Sequence, residues 1–381
     1  MGNILLEGIY DLVESPLFCV VGFGRVGEVT AAELSSMGVD VSVYDASISR
    51  VRAARELGFD SHLVDVIGAA SRIAHDCDVA ATALPSGVAE EAIPALINAG
   101  SRIIVDVSYI RDPLALHDTA RERGAMVVVD AGLAPGLSNI IAGSVAGLLS
   151  LKRLMIYVGG VSSSEDVLGI VASWNMEDLV EEYTRPARAR VGGRSVLLDP
   201  LLDARSVEVP GVGVFDALPT DGLRTLLYTM SDVDTMVEYT LRYKGHVDLL
   251  RALRRLGLLS SRSYVVEGCT ITPRKLLARL LEEKLPRSDD RVILYVSGEG
   301  EVEEGYNGRV EYLLDVRQRE LALDKPVLTF LTGFVHAHVA YESYLGEHRP
   351  GVVPPERLSA ILPRILRALE RRGVVFRVEG A

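Results

Sequence analysis

The stretch "LFCVVGFGRVGEVTAAELSSMGVDVSVYD" (17–45) decides the fold, because it reads as a strand, a glycine turn, a helix and a second strand. Leu17–Val21 is a short apolar run of the kind that forms a buried parallel strand. Gly22, Gly24 and Gly27 follow it with the spacing GxGxxG. The first glycine permits a tight turn, the second lets the backbone approach a pyrophosphate, and the third lets the helix pack closely on the strand. The stretch therefore predicts the first unit of a dinucleotide-binding fold.

An acid at the end of the second predicted strand supports the nucleotide site. Asp45 lies about 20 residues after the glycines, where an acid accepts hydrogen bonds from the ribose hydroxyls of NAD. Its charge would repel the 2′-phosphate of NADP, so NAD is favoured, although Arg50 lies close by in the sequence. A glycine-rich turn without a ligand is the alternative. The cofactor-binding residues predicted in this unit are Gly22, Phe23, Gly24, Arg25, Val26, Gly27 and Asp45.

Strand-like and helix-like segments continue to alternate up to residue 136. Strands are predicted within 77–87, 101–109 and 124–136, and helices within 88–100 and 112–124. This alternation is typical of an α/β fold, here a Rossmann-type, doubly wound parallel sheet. Ligands of such sheets bind beyond the carboxyl ends of the strands. The residues expected there along the cofactor are Leu84, Pro85, Ser86, Asp106, Val107, Ser108 and 130–132.

The middle of the chain has a different pattern, with many strands and few helices. Strands are predicted at 153–161, 234–245, 291–300 and 309–320, and "VGGRS" (191–195) is typical of a hairpin turn. We therefore expect an α+β domain with a mostly antiparallel sheet. One face of that sheet would need to be covered by helices or by a second subunit.

Charge and hydropathy exclude two classes of partner. The net charge of −12 argues against nucleic acid, because binding to phosphate backbones relies on basic patches. The longest smooth apolar run, 140–151, is too short to span a bilayer, so no membrane partner is expected. The acidic N-terminus lacks the basic region of a secretory signal.

The cysteines indicate neither a disulfide framework nor a zinc site. The chain has three, Cys19, Cys77 and Cys269, and none form a CxxC pair. An odd number at such spacings fits a reducing compartment best. We therefore expect a cytoplasmic protein.

Taken together and in order, the motifs of this chain resemble those of the saccharopine dehydrogenase and lysine 6-dehydrogenase family. The resemblance runs from about residue 16 to the end, and the glycine motif is its least specific part. It implies NAD-linked oxidation at a C–N bond of lysine or saccharopine, and the single compact chain is most similar to the lysine 6-dehydrogenase branch. The motifs are "GFGRVG" (22–27), "ALPSG" (83–87), "DAGLAPGLSN" (130–139), "EEYTRPAR" (181–188), "PTDGLRTL" (219–226), "TLRYKGHVDLL" (240–250) and "TGF" (332–334).

The resemblance also implies a domain organisation and partners. Residues 1–133 are expected to form the NAD-binding Rossmann domain, completed by C-terminal helices at about 335–381. Residues 134–334 are expected to bind the substrate and to dimerise. The expected partners are therefore a small-molecule amino-acid substrate and a second copy of the chain in a homodimer.

The implied chemistry requires a proton acceptor, because a lysine ammonium has a pKa near 10.4 and no lone pair to donate. A base must first accept a proton from the amine, and water must then attack the iminium; both steps need a group that titrates near neutrality. His246 is the first candidate for this base and Asp221 is the second. Tyr243 would hydrogen-bond the amine or orient His246. The alternatives are that His246 and Asp221 only cap the helices that follow them.

The substrate carboxylate requires a planar cationic clamp, which arginine supplies better than lysine. Arg242 and Arg224 are the candidates, and Thr220 and Asn139 are expected at the same site. Asn139 could instead only begin a helix. Arg242 and Tyr243 alternate along a strand, so at most one of them faces the site.

No metal site is expected. His336 and His338 alternate within "FVHAHVAYE", which is the wrong spacing for one helix face, and no acid pairs with them. These two residues are expected to pack a helix or to line the cleft.

Three functions remain open from the sequence. The first is oxidative deamination of the L-lysine side-chain amine to a semialdehyde that cyclises. The second is a saccharopine dehydrogenase, whose pocket should hold at least two more Arg or Lys side chains because saccharopine carries extra carboxylates. The third is a non-catalytic NAD-sensing module.

Overall fold

The computed structural model describes residues 15–172, 175–302, 305–321 and 323–380. Its first sheet has seven strands, and every neighbouring pair is parallel. The strands are β1 (Leu17–Val21), β2 (Asp40–Asp45), β3 (Asp60–Leu63), β4 (Val79–Thr82), β5 (Ile103–Asp106), β6 (Met126–Val128) and β17 (Gly351–Val353). Their order across the sheet is β17-β6-β5-β4-β1-β2-β3.

Helices cover both faces of this sheet. Alternate residues of each strand point to opposite sides, so each face packs in a core of its own. Phe18 and Val20 of β1 pack in one core cluster, whereas Cys19 and Val21 pack in another. The predicted doubly wound α/β fold is therefore confirmed. The helices of this part are α1 (Arg25–Ser36), α2 (Ile48–Glu56), α3 (Ala70–Asp76), α4 (Ser86–Ala99) and α5 (His117–Glu122), the last preceded by a 3-10 turn (Pro113–Leu116).

The second sheet has nine strands and is mostly antiparallel, as predicted. Its main order is β10-β11-β12-β7-β15-β16-β18, with β8 paired to β12 and β9, and only β12 and β7 run parallel. The strands are β7 (Ser150–Ser162), β8 (Ala187–Val191), β9 (Arg194–Leu198), β10 (Arg205–Val209), β11 (Gly213–Pro219), β12 (Thr235–Arg242), β15 (Asp290–Glu301), β16 (Asn307–Arg317) and β18 (Arg377–Glu379).

A separate hairpin and several helices complete this part of the chain. The hairpin consists of β13 (Tyr264–Val266) and β14 (Cys269–Ile271). The helices are α6 (Leu137–Leu148), α7 (Met176–Glu182), α8 (Leu226–Thr229), α9 (His246–Arg255), α10 (Pro273–Lys284), α11 (Gln318–Leu321), α12 (Val327–Leu345) and α13 (Leu362–Glu370), the last preceded by a 3-10 segment (Pro355–Ile361).

One face of the second sheet carries a row of tyrosines. Tyr239, Tyr157 and Tyr295 lie opposite one another on β12, β7 and β15, with ring centroids 5.4 and 5.7 Å apart. All three are buried within the single chain, together with side chains of β9 and β10. This face therefore does not depend on a second subunit for its cover.

The C-terminal part contributes to both sheets. Helix α12 packs against α1, and the two helices approach so closely that a Cβ on Gly333 would lie 2.6 Å from the Cβ of Val29. Strand β17 extends the first sheet, whereas β18 pairs with β16 of the second sheet. The domain boundaries expected at 133 and 334 stay a prediction.

The expectation that the cysteines form no disulfide is wrong. Cys19 in β1 and Cys77 just before β4 are joined, with their Cα atoms 5.8 Å apart. Their separation of 58 positions hides this pairing in the sequence, since only the sheet order makes β1 and β4 neighbours. Cys269 is free and exposed. The cysteines therefore no longer support the expected cytoplasmic location, which stays a prediction.

Candidate active site

The glycine loop after β1 has the geometry of a nucleotide cradle. Gly22 has a φ of 96°, and a Cβ there would lie 2.5 Å from the carbonyl oxygen of Ala83. A Cβ on Gly27 would lie 1.9 Å from the carbonyl oxygen of Gly22. A Cβ on Gly24, by contrast, would meet nothing within 4 Å. Two glycines therefore close the turn, and the third leaves open the space that a pyrophosphate needs beside the N-terminus of α1.

Asp45 lies at the end of β2 and faces the glycine loop. Its Oδ2 accepts a hydrogen bond of 2.7 Å from the Phe23 amide, and its Oδ1 accepts one of 2.7 Å from the Ser47 amide. The carboxylate is half-buried, so that it retains lone pairs for ribose hydroxyls. Glycine loop and acid together fit the adenosine half of a dinucleotide.

Arg25 and Val26, two of the expected cofactor residues, begin α1 beside the cleft between the two sheets. Nη2 of Arg25 lies 3.0 Å from Oε1 of Glu282 in α10. A cavity of about 160 Å³ opens at this point. It is lined by Arg25, Glu28, Ala172, Arg287, Asp324, Lys325, Pro326 and Thr329.

The residues expected after β4 and β5 lie at the same edge of the first sheet. The Leu84 amide donates to Oγ of Ser108 at 3.3 Å, which ties the two strand ends together. Pro85 precedes α4, and Ser86 is its first residue, so the segment predicted as a strand within 77–87 is already helical at Ser86. Val107 follows Asp106 and lies beneath Gly132, where an added Cβ would be 3.1 Å from its side chain.

Asp106 itself is buried beneath this edge. Oγ1 of Thr82 donates to its Oδ1 at 2.6 Å. Burial raises the pKa of Asp106 to about 7, although polar groups of Ser108 partly offset that rise. Its carboxyl group therefore supports the ends of β4 and β5 from within.

Five side chains from both parts of the chain meet beyond the carboxyl ends of β5 and β6, and we call them the cleft cluster. They are Tyr109, Asp130, Arg188, Asp221 and Arg224. Nε and Nη2 of Arg188 each donate to one oxygen of Asp221 at 2.9 Å, which is a bidentate pair. The Tyr109 hydroxyl donates to Oδ2 of Asp221 at 2.6 Å.

Asp221 is buried but stays ionised. Burial by itself would raise the pKa of Asp221, but the hydrogen bonds from Arg188 and Tyr109 outweigh it, so that the pKa is lowered. Of the two expected base candidates, Asp221 is therefore the one that carries a charge next to the strand ends of the first sheet, although its lowered pKa does not give it the titration near neutrality that the sequence argument required.

Arg224 and Asp130 form the buried ion pair of the cleft cluster. Nε of Arg224 lies 3.0 and 3.1 Å from the two carboxylate oxygens of Asp130, and neither side chain is exposed. The Arg224 guanidinium also lies 3.9 Å from the ring centre of Tyr109. Its Nη1 has no hydrogen-bond partner among the described residues. The Arg224 guanidinium thus lies wholly inside the protein, where it contacts Asp130 and Tyr109.

A further arginine borders the cleft cluster. The Arg185 guanidinium lies 4.1 Å from the ring centre of Tyr109. About a third of the Arg188 side chain is exposed to solvent, at 34%. The cluster and Arg185 together hold three guanidinium groups and two carboxylates, and Asp178 of α7 is a further acid near Arg185.

His246 does not belong to the cleft cluster. Its Nδ1 lies 2.7 Å from the carbonyl oxygen of Val167, and its Nε2 lies 3.1 Å from the hydroxyl of Tyr183. Burial and the nearby Arg242 lower the pKa of His246 to about 4. Both ring nitrogens are engaged, so this geometry does not support the expected role of His246 as the base.

Arg242 and Tyr243 point to opposite faces of the second sheet, as their alternation predicts. Nε of Arg242 donates to the Tyr183 hydroxyl at 3.3 Å, and its Nη2 lies 3.6 Å from Glu182. The Tyr243 hydroxyl donates to the carbonyl oxygen of Ser162 at 2.7 Å on the other face. Neither side chain reaches the cleft cluster, and it is Tyr183 rather than Tyr243 that orients His246.

Asn139 and Thr220 are both buried and bound within the protein. Oδ1 of Asn139 accepts from the Gly136 amide at 3.3 Å in the first turn of α6, and Nδ2 donates to the carbonyl oxygen of Leu223 at 3.4 Å. The Thr220 hydroxyl bonds to Glu238 and Thr240. Both residues therefore support the segment that carries Asp221 and Arg224.

The two histidines of α12 pack between elements. His336 lies between Oγ1 of Thr30 at 3.1 Å and the carbonyl oxygen of Val105 at 2.9 Å. His338 contacts Glu33 at 3.3 Å. Within the described part of the chain, no group of three or more His, Cys, Asp and Glu side chains could hold a metal ion.

None of the described helices combines the length and the apolar character that a membrane span requires.

Sequence reasoning missed Tyr109, Arg188, Tyr183 and Glu238. Tyr109 carried a usable signal, since it stands three residues after a buried strand of a parallel sheet, where ligands bind. Glu238 carried another, because Glu238 and Arg242 share one face of a strand whose other face is apolar. Arg188 and Tyr183 had no signal of their own within the motif at 181–188.

Comparison with known proteins gives a family and a fold. Residues 132–374 match the family described as "Saccharopine dehydrogenase C-terminal domain". The chain is 22% identical over 291 residues to the saccharopine dehydrogenase (NADP+, L-glutamate-forming) of Saccharomyces cerevisiae, a match that covers 72% of this chain and 65% of the yeast protein. It is 26% identical over 199 residues to the alpha-aminoadipic semialdehyde synthase of Arabidopsis thaliana, which covers 47% of this chain and 19% of that protein. The chain thus spans about a fifth of the length of the plant relative and of its rat counterpart, at 19% and 21%.

Solved structures with the same fold cover almost the whole chain. Apo saccharopine dehydrogenase (L-Glu forming) from Saccharomyces cerevisiae matches with a TM-score of 0.77 and 20% identity, over 96% of this chain and 100% of the yeast chain. The homospermidine synthase of Legionella pneumophila in complex with NAD matches with a TM-score of 0.59 and 12% identity, over 96% of this chain and 91% of the other.

Proposed function

Because this chain belongs to the saccharopine dehydrogenase family of oxidoreductases, we propose that it is a dinucleotide-dependent dehydrogenase that oxidises the C–N bond of an amino acid carrying more than one carboxylate. This is the saccharopine-type reaction. The proposal rests on the family and on the charges of the cleft cluster.

The observation that carries the proposal is the gathering of three guanidinium groups beside Asp221. Arg185, Arg188 and Arg224 surround Tyr109; Asp221 pairs with Arg188, Asp130 pairs with Arg224, and Asp178 lies near Arg185. A guanidinium binds a carboxylate through two parallel hydrogen bonds, so several of them suit a substrate with several carboxylates. The sequence analysis expects at least two additional basic side chains for such a substrate, and Arg185 and Arg188 are the candidates for them.

The chain's own residues would bind and orient the substrate. Arg185 and Arg188 would bind carboxylate oxygens, and ionised Asp221 would hold the substrate amine through a charge-assisted hydrogen bond. Tyr109 would pass a proton between the amine and Asp221, since its hydroxyl already donates to that carboxylate. The bound dinucleotide would accept the hydride from the carbon that bears nitrogen.

Oxidative deamination of the L-lysine side chain remains the second candidate. Ionised Asp221 would also hold a lysine ammonium, which favours this reaction. Lysine carries one carboxylate, however, and would engage only one of the two arginines, Arg185 and Arg188, that border the site. A non-catalytic NAD-sensing module is the third candidate, and His246 and Arg242 lying outside the cleft cluster favour it.

NAD is our proposal for the cofactor. The Asp45 carboxylate at the ribose position supports it, and the structure of the Legionella pneumophila relative contains NAD. The yeast relative is named as NADP-dependent, so both nucleotides belong in the test.

The test is an assay of the purified protein with NAD and with NADP, following the absorbance of the reduced cofactor. The panel contains saccharopine, L-lysine, L-ornithine and L-glutamate. We expect saccharopine to give the highest kcat/KM. Reduction with L-lysine alone would favour the second candidate, and no reduction with any amino acid would contradict both dehydrogenase proposals.

Arg188→Ala tests the site itself. Arg188→Ala removes both the bidentate support of Asp221 and a guanidinium for the substrate carboxylate, so it should raise the KM for the substrate about tenfold or more, and Arg188→Lys should not restore it. Arg279→Ala is the matched control, because Arg279 is exposed on α10 away from the cleft cluster. Equal kinetics for the Arg188 variant and the control would contradict the assigned site.

A further inference from the structure

The turn that carries Asp221 is held from behind by a second buried carboxylate, Glu238 of β12. The Gly222 amide donates to Oε2 of Glu238 at 3.2 Å, and the Thr220 hydroxyl donates to the same oxygen. The Thr220 amide also donates to the backbone carbonyl of Glu238 at 3.1 Å. Glu238 therefore binds the residues on both sides of Asp221 and leaves Asp221 free to face the cleft.

The contact between this turn and Glu238 leaves no room for a side chain on Gly222. A Cβ there would lie 2.6 Å from Cδ of Glu238 and within 2.9 Å of both carboxylate oxygens. The turn thus lies directly on the carboxylate, and any displacement of Glu238 would move the backbone beside Asp221. Glu238 is almost fully buried, at 4% exposure, so solvent cannot replace its hydrogen bonds.

Asp221 points away from Glu238, towards Arg188 and Tyr109. We propose that Glu238 is a positioning residue, which orients the Asp221 carboxylate for the substrate amine by holding Thr220 and Gly222. This inference rests on the proposed function in that Asp221 binds the substrate. It assigns to the carboxylate of Glu238 a role that acts only through the turn.

The surroundings of Glu238 link it to the residues at 242–246. Thr220 contacts Thr240 at 3.0 Å, Thr240 donates to Glu182, and Glu182 pairs with Arg242. The charged groups that act on Glu238 are Glu182 of α7 and Asp221 of the turn, and Arg242 on the same strand is the compensating cation. Burial, with these two acids, raises the pKa of Glu238 to about 7. The carboxyl group of Glu238 therefore changes its protonation state in the neutral range, so a limb near pH 7 is expected in the pH profile of kcat.

The first test does not depend on any activity. It is a double-mutant cycle on thermal unfolding with Glu238→Met, Asp221→Asn and the double variant, because methionine keeps the volume but removes the acceptor. Coupled residues should show a non-additivity of at least about 2 °C in Tm. Asp290→Asn is the control partner for Asp221→Asn, since Asp290 is a buried carboxylate that binds the amides of Val327 and Leu328 instead. Additive shifts for both pairs would overturn the inference.

The second test separates positioning from bulk stability. Glu238→Met should lower kcat at least tenfold and leave the KM for the nucleotide within twofold. Glu238→Gln, which retains an acceptor oxygen, should restore most of kcat but lose the limb of the pH profile near 7. Wild-type kcat in folded Glu238→Met would overturn the inference.

If Glu238→Met does not fold, Thr220→Val takes its place in both tests, because it removes the hydroxyl donor and keeps the shape. Non-additive Tm shifts in a protein that shows no dehydrogenase activity would refute the proposed function alone. Additive Tm shifts in an active enzyme would refute the positioning role alone.

Discussion

At the scale of single residues, the ion pair of the cleft cluster is made by two residues with an unusual backbone. Asp130 has a φ of 53° and Arg224 a φ of 52°, in the left-handed region that favours glycine. Such a conformation costs on the order of 1–3 kcal/mol per residue and persists where the surroundings hold it. Here the mutual ion pair and the contact of Arg224 with Tyr109 hold both residues. Strain on both sides of one contact supports a functional site at this point of the fold.

We propose that Asp45 sets the choice of nucleotide. Asp45→Ser should weaken NAD binding about tenfold, because it removes the charged acceptor for the ribose hydroxyls, and it should reduce the preference over NADP. Titration calorimetry with both nucleotides measures this ratio, and Tm reports whether the bonds to Phe23 and Ser47 are still made. An unchanged ratio in a folded variant would show that Asp45 does not contact the ribose.

The pH dependence of stability should carry a contribution from Asp106. The pKa of its carboxyl group is about 7 in the folded protein and 3.8 at its ordinary value, so the folded state binds the proton more tightly. The contribution of Asp106 to the free energy of unfolding is therefore fully present below about pH 4. It is lost as the pH rises to 7, by at most about 1.4 kcal/mol per pH unit. Asp106→Asn should flatten this decline in denaturant unfolding between pH 4 and 7. An equally steep decline in the variant would contradict the assignment.

At the scale of elements, the β1–α1 connection shows how one motif divides its tasks. Gly22 and Gly27 are required by the fold, because side chains there would collide with the backbone, whereas Gly24 faces open space. The matching element in the second sheet is β12, which carries Glu238, Thr240 and Arg242 on one face and an apolar cluster on the other. Each element thus combines a face that packs with a position that serves the site.

Gly24→Ala and Gly27→Ala form a matched pair that tests this division. Gly24→Ala should leave Tm within about 2 °C of the wild type and weaken nucleotide binding at least about tenfold, because its methyl group enters the space for the pyrophosphate. Gly27→Ala should lower stability by several kcal/mol or prevent folding, because its Cβ would lie 1.9 Å from a carbonyl oxygen. Normal nucleotide binding by Gly24→Ala would place the phosphates elsewhere.

The link between β1 and the start of β4 should be an oxidised cysteine pair. A loop of 58 residues closed by a disulfide is worth about 4 kcal/mol by chain entropy, so reduction should lower the free energy of unfolding by up to that amount. Thiol titration of the unreduced, denatured protein should count one free cysteine, Cys269, and three after reduction. Three free thiols before reduction would contradict the pairing.

At the scale of the whole molecule, the two sheets meet at the cleft through charged contacts. Arg25 pairs with Glu282 beside the glycine loop, and Arg224 pairs with Asp130 beyond β6. The nucleotide cradle and the cleft cluster thus lie at one edge of the first sheet, where the second part of the chain covers it.

A homodimer remains our proposal for the whole molecule. The tyrosine row of the second sheet is buried within one chain, whereas the β13–β14 hairpin pairs with no other described strand and exposes 45% of Tyr264, 75% of Val265 and 52% of Val266. Apolar side chains on an isolated hairpin suit a subunit contact. Light scattering should give about twice the 41.2 kDa of the chain, and Val265→Glu should lower that mass. A monomer mass for the wild type would contradict the dimer.

The sequence by itself determined the two sheets and the nucleotide cradle, because these depend on local patterns. The spacing of Gly22, Gly24 and Gly27, the apolar runs of β1, β4, β5 and β6 and the alternation along β12 each act within a few residues of chain. The family motifs also pointed to Asp221 as a candidate residue of the site.

Only the tertiary structure decided which side chains meet. His246, Arg242 and Tyr243 are close in sequence, yet the alternation of β12 and the position of Tyr183 direct them away from the cleft, whereas Arg188, Asp221 and Tyr109 come from three distant segments. Cys19 and Cys77 are neighbours only because β1 and β4 pair. Contacts between distant segments depend on sheet order and side-chain direction, and neither leaves a local pattern in the sequence.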